Sequence, residues 1–192
     1  TTAVLRVIDS HPDGLLLAIL YYTGLRRGEA LGLRWSDIDF AARALRVERD
    51  IDFVTGDVGT VKTETSMRTV PVPDELMALL QKNRQIGNGY ISRAPRTGEF
   101  WSQATFVRRW KLLQAALLHA ACGSESNGAG SILTPHYFRH NYASILYRSG
   151  VDVLTAQRYL GHTDPTTTMR IYTHLAEETD LKDAEKVRKA FR

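Results

Sequence analysis

The side chains in this sequence best suited to handling an anion are Arg26 or Arg27, Lys62, His136, Arg139, His140, His162 and Tyr172. Most of them fall in one stretch, Thr134 to His174, which reads TPHYFRHNYASILYRSGVDVLTAQRYLGHTDPTTTMRIYTH. Arginines, a lysine and histidines gathered around one phenol would make a cage for a phosphodiester, because the planar guanidinium fork matches its two free oxygens. A phenol with an ordinary pKa of about 10 is a weak nucleophile, so it needs positive charge or a base beside it. Guanidiniums also stabilise the charge that grows on phosphoryl oxygens in an in-line transition state. Lysine or histidine could then protonate the departing oxygen. Chemistry of this kind needs neither a metal nor a cofactor.

Taken one at a time, the same residues have plainer explanations. Tyr172 shares helical spacing with Met169 and Leu175, which is a core pattern. Lys62 at a hairpin tip is by default solvated, and Arg108, Arg109 and Lys111 read as a solvated face that can touch phosphate. Cys122 closes an Ala/Leu helix with no basic activator near it in sequence, and reads as a packing residue. His136 and His140 lie four apart, as in zinc helices, but Tyr137, Phe138 and Arg139 stand between them. No glutamate is there to act as base, and the arginine would repel a dication. A nucleophile elbow and a Gly-rich phosphate loop are both missing. The signal is the set rather than any member.

Positioning these groups requires several elements. Thr134 and Pro135 mark a helix start, with a hydroxyl to cap free N–H groups and a proline suited to the first position. Residues three and four apart share a helix face, so His136 and Arg139 point the same way with His140 beside them. Gly150 and Gly161 stop two helices, and Pro165 opens a third that carries Tyr172. Upstream, Val4 to Ile8 is a short apolar-periodic piece and Leu15 to Tyr22 a buried helix. Thr23 and Gly24 break it just before Arg26 and Arg27, and Ala30, Leu31 and Leu33 follow in another helix. Guanidiniums at the end of a buried helix must find an anion. Period two then takes over at Ile38 and Phe40, Leu45 and Val47, Ile51 and Phe53, and Val70 and Val72. That predicts a small antiparallel sheet between Asp37 and Val72, with Lys62 at or near a hairpin tip. Asp74 caps a helix to about Gln85, Tyr90 and Ile91 suit a short strand, and Ser102 starts the longest helix, to about Ala121. Gly123 to Ser131 is a loop by composition, and Leu175 to Arg192 is a charged helix with sparse apolar positions.

A chain of 192 residues, 43% of them hydrophobic, fits one domain with a proper core. The net charge of +4 and pI of about 9.3 permit nucleic acid as a partner. One cysteine cannot build a disulfide framework and suits a reducing cytosol. No stretch approaches the ~20 apolar residues of a membrane helix. The start at Thr1, without methionine, suggests an excised piece of something longer.

Four ordered stretches resemble the catalytic domain of the tyrosine recombinases, also called the phage integrase family. TGLRRGEALGLRWSDIDF, from Thr23 to Phe40, is similar to the first arginine box, Thr-Gly-Leu-Arg, two residues, Glu. It singles out Arg26 over Arg27 and makes Glu29 the supporting acid. VKTETSMRTVPVP resembles the hairpin of the catalytic lysine, here Lys62. HYFRH is similar to the His-x-x-Arg box and yields His136 and Arg139, with His140 as companion, although Tyr137 and Phe138 replace the Asp-Leu of many relatives. LGH yields His162, and the Tyr-Thr-His ending yields Tyr172.

The resemblance implies a mainly α fold with a small antiparallel β-sheet. Residues 1–192 would form a single catalytic domain, with the family's N-terminal core-binding domain absent from it. It further implies a bacterial, cytoplasmic site-specific recombinase that acts on double-stranded DNA to integrate or excise a mobile element. In that scheme Tyr172 forms a 3′-phosphotyrosine, and Arg26 and Arg139 hold the non-bridging oxygens. His162 bonds the same phosphate, His136 assists proton transfer from Tyr172, and Lys62 protonates the leaving 5′ oxygen. The tail after His174 docks on a neighbouring protomer of a cyclic tetramer or folds back on its own domain, and an excisionase is a further partner of this class. A type IB topoisomerase, which runs the same chemistry without paired sites, is the alternative.

Overall fold

The computed structural model describes residues 2–60, 67–94, 97–122 and 133–177. Its helices are α1 (Thr2–Ser10), α2 (Gly14–Thr23), α3 (Arg27–Gly32), α4 (Asp74–Lys82), α5 (Gln103–Cys122), α6 (Pro135–Arg148), α7 (Val153–Leu160) and α8 (Pro165–Glu177). Between α3 and α4 lie the strands β1 (Ile38–Asp39), β2 (Ala44–Val47), β3 (Arg49–Ile51), β4 (Val58–Thr60) and β5 (Arg68–Pro71). This is the helix-rich architecture with small antiparallel pairing that the sequence implies. Among the described residues no helix is long and apolar enough to cross a membrane. Lys62, the loop from Gly123 to Ser131 and the tail beyond Glu177 lie outside the described residues.

The alternating apolar positions pair as expected in β1-β2-β5, where Ile38 faces Leu45 and Leu45 faces Val70. In place of one sheet, however, β3 and β4 form a separate antiparallel pair. The cause is α3. Gly28 lies so close to β3 that a Cβ there would stand 2.0 Å from Asp50 Oδ1. Arg49 then ties β3 to the Gly32 carbonyl and to buried Asp37. The β3 backbone is held against α3 and drawn out of the larger sheet.

Smaller differences have similarly local reasons. Pro73 takes the N-cap of α4, so Asp74 is its first helical residue, and the helix ends at Lys82. Tyr90 makes one isolated bridge to Arg34, short of a strand. Arg109 leaves the solvated face expected for it. It pairs with Asp13, which is buried, and its guanidinium lies 4.8 Å from the Trp101 ring centroid.

Two hydrophobic clusters hold these elements. The larger joins the first five helices and the sheets through residues such as Leu17, Leu31, Leu45, Val70, Leu80, Trp110 and Phe138. The smaller joins α6 and α7 through Tyr142, Ala143, Leu146, Ala156 and Leu160, with Ile171 and Tyr172 of α8 packed on it. Each fully buried Leu or Phe contributes ~1.5–3 kcal/mol, so the larger cluster dominates stability. Helix α6 belongs to both, through Phe138 and Tyr142. Arg139 falls at the seam between them.

Candidate active site

The site is organised around the C-terminal end of α7. A helix leaves its last carbonyls without internal donors and concentrates partial negative charge there. In this molecule three arginines from three other elements satisfy three consecutive carbonyls. Arg68 Nε, from β5, donates to Tyr159 at 2.8 Å. Arg139 Nη2, from α6, donates to Leu160, and Arg26 Nη2, from the start of α3, donates to Gly161 at 2.7 Å. Gly161 itself is in the left-handed conformation at φ 64°, and a Cβ on it would lie 2.6 Å from Arg68 Nη1. Only glycine meets both demands.

Arg139 is brought there by the expected helix start. Thr134 accepts a bond from the Tyr137 amide, and Pro135 occupies the first position. Its guanidinium is buried, and Nη1 donates to the carbonyl of Gly24, the residue that caps α2. Burial and the nearby charge of Arg26 lower its pKa to about 9. Two guanidiniums held this close repel one another. A further anion beside them would relieve that repulsion.

Arg26 is fixed from the opposite side by Glu29, which is 1% exposed. The carboxylate accepts the Arg26 amide at 2.7 Å and Arg26 Nη1 at 2.9 Å. Arg68 clamps the same two oxygens with Nη1 at 2.9 Å and Nη2 at 2.8 Å. Burial pushes the Glu29 carboxyl up, but the bonds and charges of Arg68 and Arg26 outweigh it and hold the pKa at about 2. Arg27, the neighbouring arginine, stacks on Phe53 with 4.0 Å to the ring centroid. It is therefore Arg26 whose guanidinium joins the Glu29 and α7 network.

A pocket of about 250 Å³ opens here, lined by Leu25, Arg26, Arg27, Thr134, Pro135, His136 and Arg139. His136 is thus brought to the two arginines, while His140 is exposed and is not among the lining residues. His162 follows the α7 end directly. Its Nδ1 bonds Thr168 Oγ1 at 2.8 Å, and burial followed by the charges of Arg139, Arg26 and Arg68 pushes its pKa down to about 4. The ring is neutral at neutral pH. If Thr168 donates to Nδ1, the proton sits on Nε2, which leaves a donor for an anion.

Tyr172 is placed differently from the expectation of a cage around a phenol. Its hydroxyl donates to the Val151 carbonyl at 3.1 Å, beyond the C-terminal end of α6, and its ring meets Tyr147 edge-on at 5.1 Å. Burial and then the Asp152 charge raise its pKa. In this arrangement the phenol is docked on the smaller cluster, and Asp152 is the charge that acts on it.

Two residues escape a reading of the sequence. Arg68 lies on the same strand face as Val70, which is fully buried, and an arginine on an apolar face requires a buried partner. That is the one signal it offers. Thr168 is fully buried and stands four residues before Tyr172, but nothing local links it to His162. Among the described residues no three His, Cys, Asp or Glu side chains gather closely enough to hold a metal ion.

A model of the phage integrase family matches residues 3–179. The chain belongs to the phage integrase family. A XerC-like tyrosine recombinase of Caldanaerobacter subterraneus is 30% identical over 204 residues, covering 96% of this chain and 51% of the relative. The ICEBs1 integrase of Bacillus subtilis is 29% identical over 174 residues, covering 88% of this chain and 46% of the relative. The chain therefore spans about half the length of these curated relatives. Among solved structures, the Tn1549 transposon integrase in complex with a circular intermediate DNA superposes with a TM-score of 0.76 at 22% identity. That match covers 96% of this chain and 62% of the other. The XerA recombinase gives 0.68 at 23% identity, covering 97% and 62%. These likenesses show that the chain shares its fold with the Tn1549 integrase and the XerA recombinase.

Proposed function

We propose that this chain is the catalytic domain of a site-specific DNA recombinase, one that breaks and rejoins strands through a 3′-phosphotyrosine to integrate or excise a mobile element. The observation that carries this is the pair Arg26 and Arg139, which line one pocket together with His136. Arg26 and Arg68 share the one Glu29 carboxylate and Arg139 is bonded only to carbonyls, so positive charge is in excess where a phosphodiester would sit. Arg26 and Arg139 hold its non-bridging oxygens and stabilise the charge that grows on them. Neutral His162 donates a hydrogen bond to the same phosphate, and His136 assists proton transfer from Tyr172. Lys62 protonates the leaving 5′ oxygen. Glu29 acts through Arg26, and His140 is the companion of His136.

Tyr172 attacks once α8 has brought it to the pocket. The 5′-hydroxyl of another strand then reverses the step, so the bond energy is conserved. The named relatives are recombinases and integrases, and a topoisomerase that acts without paired sites is not favoured. On this reading the core-binding domain lies outside the 192 residues. Double-stranded DNA in the bacterial cytoplasm is the substrate, the segment after His174 joins protomers into a tetramer, and an excisionase sets the direction.

A nicked suicide duplex carrying the element's core site tests the assignment. A covalent adduct should form and should vanish with Tyr172→Phe. No adduct, or one that survives the substitution, overturns it.

A further inference from the structure

Arg68 has no part in the chemistry assigned above, yet it is among the most heavily engaged side chains in the site. Its side chain is 5% exposed and makes a two-pronged contact with Glu29 at 2.9 and 2.8 Å. It also makes a third directed bond to the Tyr159 carbonyl at 2.8 Å. Glu29 and α7 are the same two anchors that hold Arg26, through Nη1 and Nη2 respectively. Arg68 and Arg26 therefore form parallel braces between one carboxylate and one helix end. Removing one brace frees the carboxylate to turn and the helix end to shift, and both movements reach the Arg26 guanidinium.

We propose that Arg68 is a positioning residue, which on the recombinase reading above fixes Arg26 toward the scissile phosphate by locking Glu29 to the C-terminal end of α7 without touching DNA. Charge alone does not do this. Lysine would keep the positive charge but offers a compact ammonium in place of a planar fork, and cannot make three bonds in these directions. Arg68 also starts β5, which leads back to the segment of Lys62. The brace thus ties the strand after the lysine to the helix end before His162.

The test uses the full-length recombinase and the nicked duplex on which wild type forms its covalent adduct. Arg68→Lys should slow single-turnover adduct formation by roughly 10- to 100-fold, the scale of a misplaced reacting group, with DNA affinity unchanged. Arg26→Lys and the double variant complete a cycle. If Arg68 acts through Arg26, the double variant is little slower than Arg26→Lys alone. A second readout replaces one non-bridging oxygen of the scissile phosphate by methyl. This removes the charge that Arg26 balances, so the gap between wild type and Arg68→Lys should narrow.

A general loss of folding would lower the melting temperature and slow both substrates equally, and that result overturns the proposal. So do fully additive losses in the cycle, or an Arg68→Lys variant as fast as wild type. If wild type itself forms no adduct, the recombinase reading falls first. A wild-type adduct with an indifferent Arg68→Lys removes only the role of Arg68.

Discussion

Around Glu29 both carboxylate oxygens take donors from two different elements, and three consecutive carbonyls at the C-terminal end of α7, the last that of its cap Gly161, take three arginines. At Tyr172 the hydroxyl rests on a single backbone carbonyl, and the ring leans on Tyr147 within the smaller cluster. The first region is cross-braced by α3, β5, α6 and α7, so its geometry is set before any ligand arrives. The second is a helix docked by its apolar side. The contrast separates two requirements of phosphoryl transfer. Charge stabilisation gains from a rigid, preorganised site, whereas a nucleophile can be delivered by a moving element. On the recombinase reading proposed above, a phenol raised in pKa and bonded to Val151 stays unreactive until α8 delivers it.

The largest effect should come from the braced side. Glu29→Gln leaves Arg26 and Arg68 around a neutral amide in a buried setting, and breaking such a pair costs about 3–5 kcal/mol. Urea denaturation measures it, and a loss under 1 kcal/mol would erase the contrast. The same carboxylate gives a pH dependence. Its pKa of about 2 when folded lies below the unfolded value near 4.3. Between them the unfolded state binds more protons, so this contribution is fully present above about pH 4.3 and is lost as pH falls toward 2. Glu29→Gln should flatten that acid limb.

A medium effect is expected at the seam, where Thr168 of α8 meets His162. Thr168→Val keeps the shape but removes the hydroxyl from Nδ1, which should cost about 1–2 kcal/mol and change the ring's tautomer balance in nitrogen NMR. In the unaltered chain the folded pKa of His162, about 4, lies below the ordinary 6.5. Its imidazole should stay neutral down to that pH, and its share of stability is lost as pH falls through that window. An imidazole titrating near 6.5 would show that the arginine field does not reach it.

Much of this was legible from local pattern. Thr134-Pro135 marks the α6 start, and Gly161 the end of α7. The boxes around Arg26, His136, Arg139 and His162 fall where folding gathers polar groups, and the alternating strands pair in the expected sense. What stayed hidden depends on distance along the chain. Arg68 meets Glu29 across 39 residues, and Arg109 meets Asp13 across 96. No helical or strand period encodes such pairs. The docking of Tyr172 was hidden for another reason. Its spacing with apolar neighbours fits a core residue and a nucleophile equally well, and at rest it is held as the former.

The smallest effect is therefore the most telling one. Tyr172→Phe removes the hydroxyl bond to Val151 but keeps the ring on Tyr147, and Tyr172 is only half-buried, so water can replace part of what is lost. A stability change of about 0.5–1 kcal/mol is expected, measured by urea denaturation of the free chain. At about 1.4 kcal/mol per factor of ten, that bond biases the docked phenol by no more than roughly fivefold. A few phosphate contacts made by α8 on DNA would exceed it. A loss of 3 kcal/mol would instead make the docked state as firmly held as the Glu29 braces, and delivery of the nucleophile would then need a partner that pulls α8 away rather than DNA alone.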